Sequence, residues 1–124
     1  MSDIALQSGS LFGALAIILG AFGAHALKKI LNAEQLKSFE TGVKYQMYHA
    51  IVLLIIGFNI DESTSNYAAI VWCFIFGIIL FSFSIYLLVI SSARDKKLKF
   101  LGPITPIGGL LLIAGWLLLF NNFL

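Results

Sequence analysis

Charged residues divide this chain into four long, uncharged and strongly apolar stretches. The stretches cover residues 4–27, 45–60, 63–93 and 100–124. An α-helix needs about 20 residues to cross the hydrocarbon of a bilayer, because each residue advances it by about 1.5 Å. The pattern therefore predicts four membrane-spanning helices, at approximately residues 7–27, 45–60, 67–91 and 104–123.

The second stretch is short for a span, and the third is long. Lys44 precedes the second stretch. Its ammonium can snorkel to the interface while its methylenes stay in the apolar region, which lengthens the usable helix by about one turn. Residues 63–66, at the start of the third stretch, are assigned to the preceding loop.

The segment between the first two spans has the pattern of an amphipathic helix over residues 33–44. Asn32 followed by Gln35 three residues later is a capping-box signature. Apolar residues then recur at helical spacing on one face and charged residues on the other. This helix is too polar to span, and we expect it to lie at the interface, with Gly42 allowing the chain to bend into the second span. The predicted fold is an all-α, integral membrane four-helix bundle with this amphipathic helix between the first and second spans.

Composition agrees with a membrane protein and gives it an orientation. Hydrophobic residues make up 60% of the chain, charged residues 11%, and the mean hydropathy is +0.97. Four spans would place a net charge of +5 on one side and −3 on the other. Short loops rich in Lys and Arg stay in the cytoplasm, so both termini are predicted to lie outside a plasma membrane. The cytoplasmic basic residues are Lys28, Lys29, Lys37, Lys44, Arg94, Lys96, Lys97 and Lys99.

Two local features have simple interpretations. The residues Ala24-His25-Ala26 resemble a signal-peptide cleavage site, but the chain begins without a positive segment, and Lys28 and Lys29 would act as a stop. We therefore treat residues 7–27 as a span, within a single transmembrane domain of residues 1–124.

Cys73 is the only cysteine and implies no disulfide.

Small residues on the first and fourth spans predict close helix packing. Lipid offers no hydrophobic drive for helices to associate, so small residues that let backbones approach are typical of helix seams. The alternative is that the small residues of the first span form the seam of a homodimer. The third span, rich in Ile and Phe, is expected to face lipid, so Gly77 should be less sensitive to substitution than Gly20. The predicted packing residues are Gly13, Gly20, Gly23, Gly108 and Gly109.

His25 and His49 are the candidate functional residues, because an ionisable group within a span is costly and by default marks a functional hypothesis. Each lies about one turn inside the cytoplasmic end of its predicted span, so we expect both at similar depth. One interpretation is structural hydrogen bonding across the bundle; the other is binding of haem, a metal or a small solute. The structural interpretation is favoured, since the pair lacks a nearby Cys or carboxylate ligand.

No sequence motif for catalysis, covalent haem, zinc or phosphate binding is present. We therefore expect no enzymatic activity, no cofactor and no nucleic-acid partner. The expected partners are the lipid bilayer, anionic headgroups at the basic loops, and either a second copy of the chain or a larger membrane complex.

Several blocks of the sequence resemble a known family of small four-span membrane proteins, DUF423, which is also catalogued as UPF0382 in bacteria and includes the eukaryotic transmembrane protein 256. The blocks are residues 11–14 (LFGA), 20–25 (GAFGAH), 39–50 (FETGVKYQMYHA), 106–109 (PIGG) and 115–116 (GW). The resemblance covers nearly the whole chain. It implies an integral membrane protein without an assigned activity, and it supplies no catalytic residue. The expected function is that of a structural or accessory membrane protein.

Overall fold

The computed structural model of the chain describes all of residues 1–124 and contains four helices that alternate in direction. Three of them are long and apolar enough, by length and composition, to cross a membrane: the first, the third, and the fourth together with the turn that leads into it. The second is not in that set, and four charged residues lie among its first twelve positions. We name the helices α1 (Ser2–Leu27), α2 (Ala33–Asn59), α3 (Tyr67–Ala93) and α4 (Ile104–Asn121).

Two of these helices contain a wider π-helical turn, and a short helical turn precedes α4. The π-helical turns are Ile18–Gly23 in α1 and Ile79–Phe83 in α3. Such a turn inserts an extra residue, which rotates the following part of the helix relative to the preceding part. The 3₁₀ turn Lys99–Leu101 leads into α4, and Pro103 stands immediately before its first residue.

The predicted capping box at the start of α2 is confirmed. The Asn32 side-chain oxygen accepts a hydrogen bond from the Gln35 backbone N–H at 2.7 Å, and the Gln35 side-chain oxygen accepts one from the Asn32 N–H at 3.0 Å. Both bonds satisfy N–H groups that a helix start leaves without a partner inside the helix. The tight connection after α1 and the beginning of α2 are therefore specified locally.

The expectation of a separate interfacial helix and a bend at Gly42 is wrong. α2 is one unbroken α-helix of 27 residues, about 40 Å long. Gly42 is buried, and a Cβ atom at this position would lie 2.7 Å from the ring of Tyr86. The glycine therefore makes room for an aromatic side chain of α3 and does not bend the helix.

The Ile and Phe content of the third helix predicts that it faces lipid. Instead, the helix has a large buried face, and only its other face, which includes Phe76, is exposed. It is the most buried of the helices that could cross a membrane, and Tyr67, Ile70, Val71 and Phe74 are at most 1% exposed. They belong to the main core of the bundle, to which all four helices contribute. A smaller core cluster, Leu31, Phe39, Tyr86 and Val89, lies toward the basic end.

Gly77 shows why the expected insensitivity of the third helix is also wrong. A Cβ atom at Gly77 would lie 2.6 Å from the Leu112 side chain and 3.1 Å from the Leu112 backbone nitrogen. A Cβ atom at Gly20 would meet only a methyl group of Val43, at 3.0 Å. A flexible side chain yields more easily than backbone, so the tighter of the two sites is Gly77.

The other glycines predicted at helix seams differ widely in how closely they are packed. A Cβ atom at Gly108 would overlap the backbone nitrogen of Phe81 and lie 2.6 Å from the Leu80 carbonyl carbon. At Gly109, Gly23 and Gly13 the nearest side-chain atoms are 3.6, 3.4 and 4.0 Å away, which leaves room for a methyl group or nearly so. The close backbone approach of α4 to α3 therefore depends on Gly108 and not on the adjacent Gly109.

The acidic end of the bundle is closed by an ion pair. The N-terminal ammonium lies 3.1 Å from Glu62, which also accepts hydrogen bonds from the backbone N–H and the hydroxyl of Ser2. The Ser2 N–H, the nearby ammonium and the hydroxyl together lower the pKa of Glu62. The start of α1 is thereby attached to the loop between α2 and α3.

Substitution of the adjacent glycines tests the packing of α4. Gly108→Ala should lower the free energy of unfolding by about 1 to 3 kcal/mol or more, because the added methyl group meets rigid backbone of α3. Gly109→Ala should leave stability unchanged or raise it by at most roughly 1 kcal/mol, through the better helix propensity of alanine. Thermal unfolding in detergent, followed by circular dichroism, measures both. Equal midpoints for the two variants would contradict this packing.

Candidate functional site

The polar groups of the bundle interior lie along one face of α2. Residues 39, 42, 46, 49, 50, 53 and 56 are the buried positions of this helix, which is the spacing of a single helical face. Two of them, Gln46 and His49, carry polar side chains, and both are buried. A polar side chain at such depth needs a partner from a neighbouring helix.

Gln46 connects three helices. Its side-chain nitrogen donates to the backbone oxygen of Phe12 in α1 at 2.8 Å, and its side-chain oxygen accepts from the Tyr86 hydroxyl of α3 at 2.7 Å. The carbonyl of Phe12 can only accept, so the amide nitrogen must face it, and Tyr86 must then be the donor. Gln46 is 0% exposed, and this pairing satisfies both ends of its amide.

His49 connects α2 to α4. Its Nδ1 atom lies 2.7 Å from the backbone oxygen of Tyr45, and its Nε2 atom lies 3.0 Å from the indole nitrogen of Trp116. A carbonyl oxygen only accepts and an indole N–H only donates, so Nδ1 carries the proton and Nε2 accepts. The two partners fix His49 as one neutral tautomer with both ring nitrogens engaged.

His25 and His49 do not meet, so the expectation of similar depth is wrong. Gly23 of α1 packs against Phe39 of α2, and Gly9 packs against Ala50, which fixes the alignment of the two helices. His25 is exposed near the end of α1, whereas Ala50, the neighbour of His49, lies opposite Gly13, about 12 residues or roughly 18 Å nearer the start of α1. The error came from expecting a bend at Gly42 and a span that begins at Tyr45, whereas the helix that carries His49 is continuous from Ala33, about three turns earlier.

A second polar contact anchors α4 beside the π-helical turn of α3. The Ser84 hydroxyl lies 2.6 Å from the Thr105 hydroxyl and donates to backbone carbonyls within the turn. Two residues earlier, within the π-helical turn, the Ser82 hydroxyl donates to the Gly42 backbone oxygen at 2.7 Å. The two serines therefore attach α3 to α4 and to α2 at nearly the same level.

Several residues of this polar system were not among the predicted site residues: Gln46, Ser82, Ser84, Tyr86, Thr105 and Trp116. A signal was available for Gln46, because it shares the spacing of the buried α2 face with Phe39 and Leu53. Trp116 lies near the predicted outer end of the fourth span, a position typical of an interfacial anchor. Its indole instead makes a hydrogen bond to His49, although the residue is 46% exposed.

The arrangement contains no geometry for shared ligation by the two histidines. No three His, Cys, Asp or Glu side chains lie close enough together to hold a metal ion. What the buried residues do is connect helices: α1 to α2 and α3 through Gln46, and α2 to α4 through His49. The interior polar groups thus serve the assembly of the bundle.

Comparison with known proteins assigns the chain to a family. Residues 19–109, which include Gln46, His49 and Tyr86, match the model of a family described as "Protein of unknown function (DUF423)". The chain belongs to the DUF423 family. Among curated relatives, a UPF0382 membrane protein of Staphylococcus saprophyticus is 41% identical over 90% of this chain and 88% of its own length. The UPF0382 membrane protein YwdK of Bacillus subtilis is 36% identical over the same shares.

No solved structure matches this DUF423 chain. The family match and the relatives confirm the resemblance that the sequence blocks indicated, and they establish a membrane protein. Three helices of the structure have the length and apolar composition to cross the bilayer.

A double-mutant cycle tests the bond between α2 and α4. Trp116→Phe should destabilise the protein by leaving the His49 Nε2 atom without a donor, and His49→Phe should remove the same bond from the other side. The coupling free energy should be about 0.5 to 1.5 kcal/mol. Thermal unfolding in detergent measures it. Trp72→Phe is the matched control, because Trp72 stacks on Phe76 and makes no side-chain hydrogen bond. A coupling free energy of zero between positions 49 and 116 would contradict this hydrogen bond.

Proposed function

We propose that this DUF423 protein is a four-span, non-catalytic structural protein of the plasma membrane, which stabilises the membrane or a larger membrane complex. The observation that carries the proposal is how the interior polar groups are used. Gln46 and His49 are both engaged in hydrogen bonds within the bundle, and neither presents a free functional group to a ligand. Residues that could have formed a site instead hold helices together.

The alignment of α1 and α2 supports four spans. Along α2, Phe39 packs against Gly23, Ala50 against Gly9, and Gly57 against Leu6. The segment of α2 from residue 39 to 57 therefore runs beside the apolar segment of α1 from residue 6 to 23. If α1 crosses the bilayer, this part of α2 shares its depth. Residues 33–38 extend beyond it, and Glu40 and Lys44 lie at the basic end of the paired segment.

The distribution of charge supports the orientation. The antiparallel helices gather all eight Lys and Arg residues in the connection after α1, the first turns of α2 and the connection between α3 and α4. Asp3, Asp61 and Glu62 lie at the opposite end. This arrangement favours basic segments in the cytoplasm and both termini outside. Each basic residue near the membrane surface would add about 1 kcal/mol of attraction to anionic lipid.

The outer surface supports a role in the plane of the membrane. Large apolar side chains are exposed on every helix, among them Phe22, Phe58, Phe76 and Leu117, each at least half exposed. An aqueous protein of this size seldom exposes so much apolar surface. Lipid chains, a second copy or the helices of a larger complex would cover it.

Cysteine labelling tests the topology. Ser2→Cys, Ser65→Cys and Lys97→Cys, each in a Cys73→Ala background, should be treated in intact cells with a membrane-impermeant maleimide. We expect labelling at positions 2 and 65 and none at 97 until the cells are opened. Labelling at 97 with none at 2 and 65 would reverse the orientation, and labelling of all three in intact cells would contradict four spans.

The alternative, a haem, metal or solute protein that uses His25 and His49, is tested by the protein purified from its native membrane. We expect no stoichiometric haem absorbance or transition metal, and we expect His25→Gln and His49→Gln to change neither. A stoichiometric cofactor lost in either variant, with the fold retained by circular dichroism, would overturn the structural role. Gln7→Ala, at an exposed position of α1, provides a control for changes caused by handling.

A further inference from the structure

A polar cavity of about 350 Å³ lies at the basic end of the bundle, between the start of α2 and the end of α3. We name it the headgroup cavity and define it by Glu34 and Ser38 of α2, Leu88, Val89 and Ser92 of α3, and Lys97 of the following loop. Under the proposed topology its mouth is at the level of the cytoplasmic lipid headgroups. The cavity is separate from the buried polar contacts described above.

The walls of the headgroup cavity carry one positive and one negative charge that do not pair. Glu34 stands on the α2 side and Lys97 on the loop side, and the only ion pair within 4.0 Å in the protein is the distant one between the N-terminus and Glu62. Because these opposite charges face the cavity without forming an ion pair, each is free to bind a ligand. A ligand that complements both must itself carry a negative and a positive group.

Neutral hydrogen-bonding groups surround these two charges. The hydroxyls of Ser38 and Ser92 make no hydrogen bond within the protein, whereas Ser82, Ser84 and Ser91 of α3 all bond to backbone. The start of α2 offers few further hydrogen-bond donors to the cavity, because the capping box already uses the N–H groups of Asn32 and Gln35. Leu88 and Val89 give the cavity an apolar part, and Val89 is only 7% exposed.

The loop that carries Lys97 is held in place by Ser91. The Ser91 backbone oxygen accepts from the Lys96 N–H at 2.9 Å, and the Ser91 hydroxyl accepts from the Leu98 N–H at 3.2 Å. Asp95 takes a left-handed conformation, with φ of 58°, which turns the chain back after α3. The backbone of Lys97 is thus held between two anchored neighbours, and its exposed side chain lines the cavity.

We propose that the headgroup cavity binds the zwitterionic headgroup of an aminophospholipid, with the phosphate at Lys97 and Ser92 and the primary ammonium at Glu34. An anionic headgroup without an amine would leave Glu34 unpaired beside added negative charge. A quaternary ammonium has no N–H to donate to Glu34. This inference rests on the proposed function only for the position of the cavity at the headgroup level.

Lipid-dependent stabilisation in detergent tests the proposal. A ligand that binds the folded protein raises its unfolding midpoint. Added phosphatidylethanolamine should raise the midpoint of the wild-type protein, whereas phosphatidylglycerol and phosphatidylcholine at equal concentrations should raise it much less. Glu34→Gln and Lys97→Gln should each weaken the phosphatidylethanolamine effect about tenfold in half-saturating concentration, since each removes one charged contact.

Charge-matched controls come from the same helix. Glu40→Gln and Lys37→Gln remove like charges outside the headgroup cavity and should keep the full effect. All four positions are exposed, so each variant is compared with its own lipid-free midpoint. An undiminished effect in Glu34→Gln, or equal stabilisation by phosphatidylglycerol, would overturn the proposal.

Soluble phosphoethanolamine separates a lipid ligand from a free one. Stabilisation by it as strong as that by the lipid would assign the cavity to a soluble ligand and overturn the lipid proposal. The detergent assay does not depend on orientation. A reversed topology in the labelling experiment would therefore leave it unchanged, and loss of the lipid effect would leave the four-span topology intact.

Discussion

The packing of the bundle depends on two buried polar side chains of α2. Because no water reaches them, they need hydrogen-bond partners on the neighbouring helices. Gln46 finds the backbone of α1 and the hydroxyl of Tyr86, and His49 finds the indole of Trp116. In hydrocarbon an unpaired group of this kind costs several kcal/mol, so packings that leave either residue without a partner are disfavoured. Two residues on one face of α2 thus specify which helices lie beside it.

Close packing then sets how near the helices approach. Gly42 and Gly57 of α2 make room for Tyr86 and Leu6, and Gly108 lets α4 reach the backbone of α3 beside its π-helical turn. Dispersion contacts supply most of the attraction between helices that lipid would solvate equally well. At one level the two coincide, because Gly42 makes room for the same Tyr86 ring whose hydroxyl donates to Gln46.

The two ends of the molecule differ in chemistry, and function is more readily placed there than in the interior. The acidic end is closed by the contacts of Glu62 with the start of α1. The basic end is more open: its cavity between α2 and α3 keeps Glu34 and Lys97 apart. Under the proposed topology, a protein whose interior groups are engaged in assembly would meet its surroundings through its exposed apolar surface and its headgroup-level ends.

The class of protein and the local structure of its helices followed largely from the sequence by itself. Long apolar stretches and local capping signals depend on residues near one another in the chain, so the membrane class, the four helices and the start of α2 at Asn32 were predictable. Tertiary structure decided the continuity of α2, the burial of α3 and the separation of His25 from His49. The physical reason is that amphipathic periodicity identifies a buried face but not the helix that covers it. Gln46 could be recognised as buried from its spacing, whereas its pairing with Tyr86, 40 residues away, and that of His49 with Trp116, 67 residues away, arise only when the helices pack.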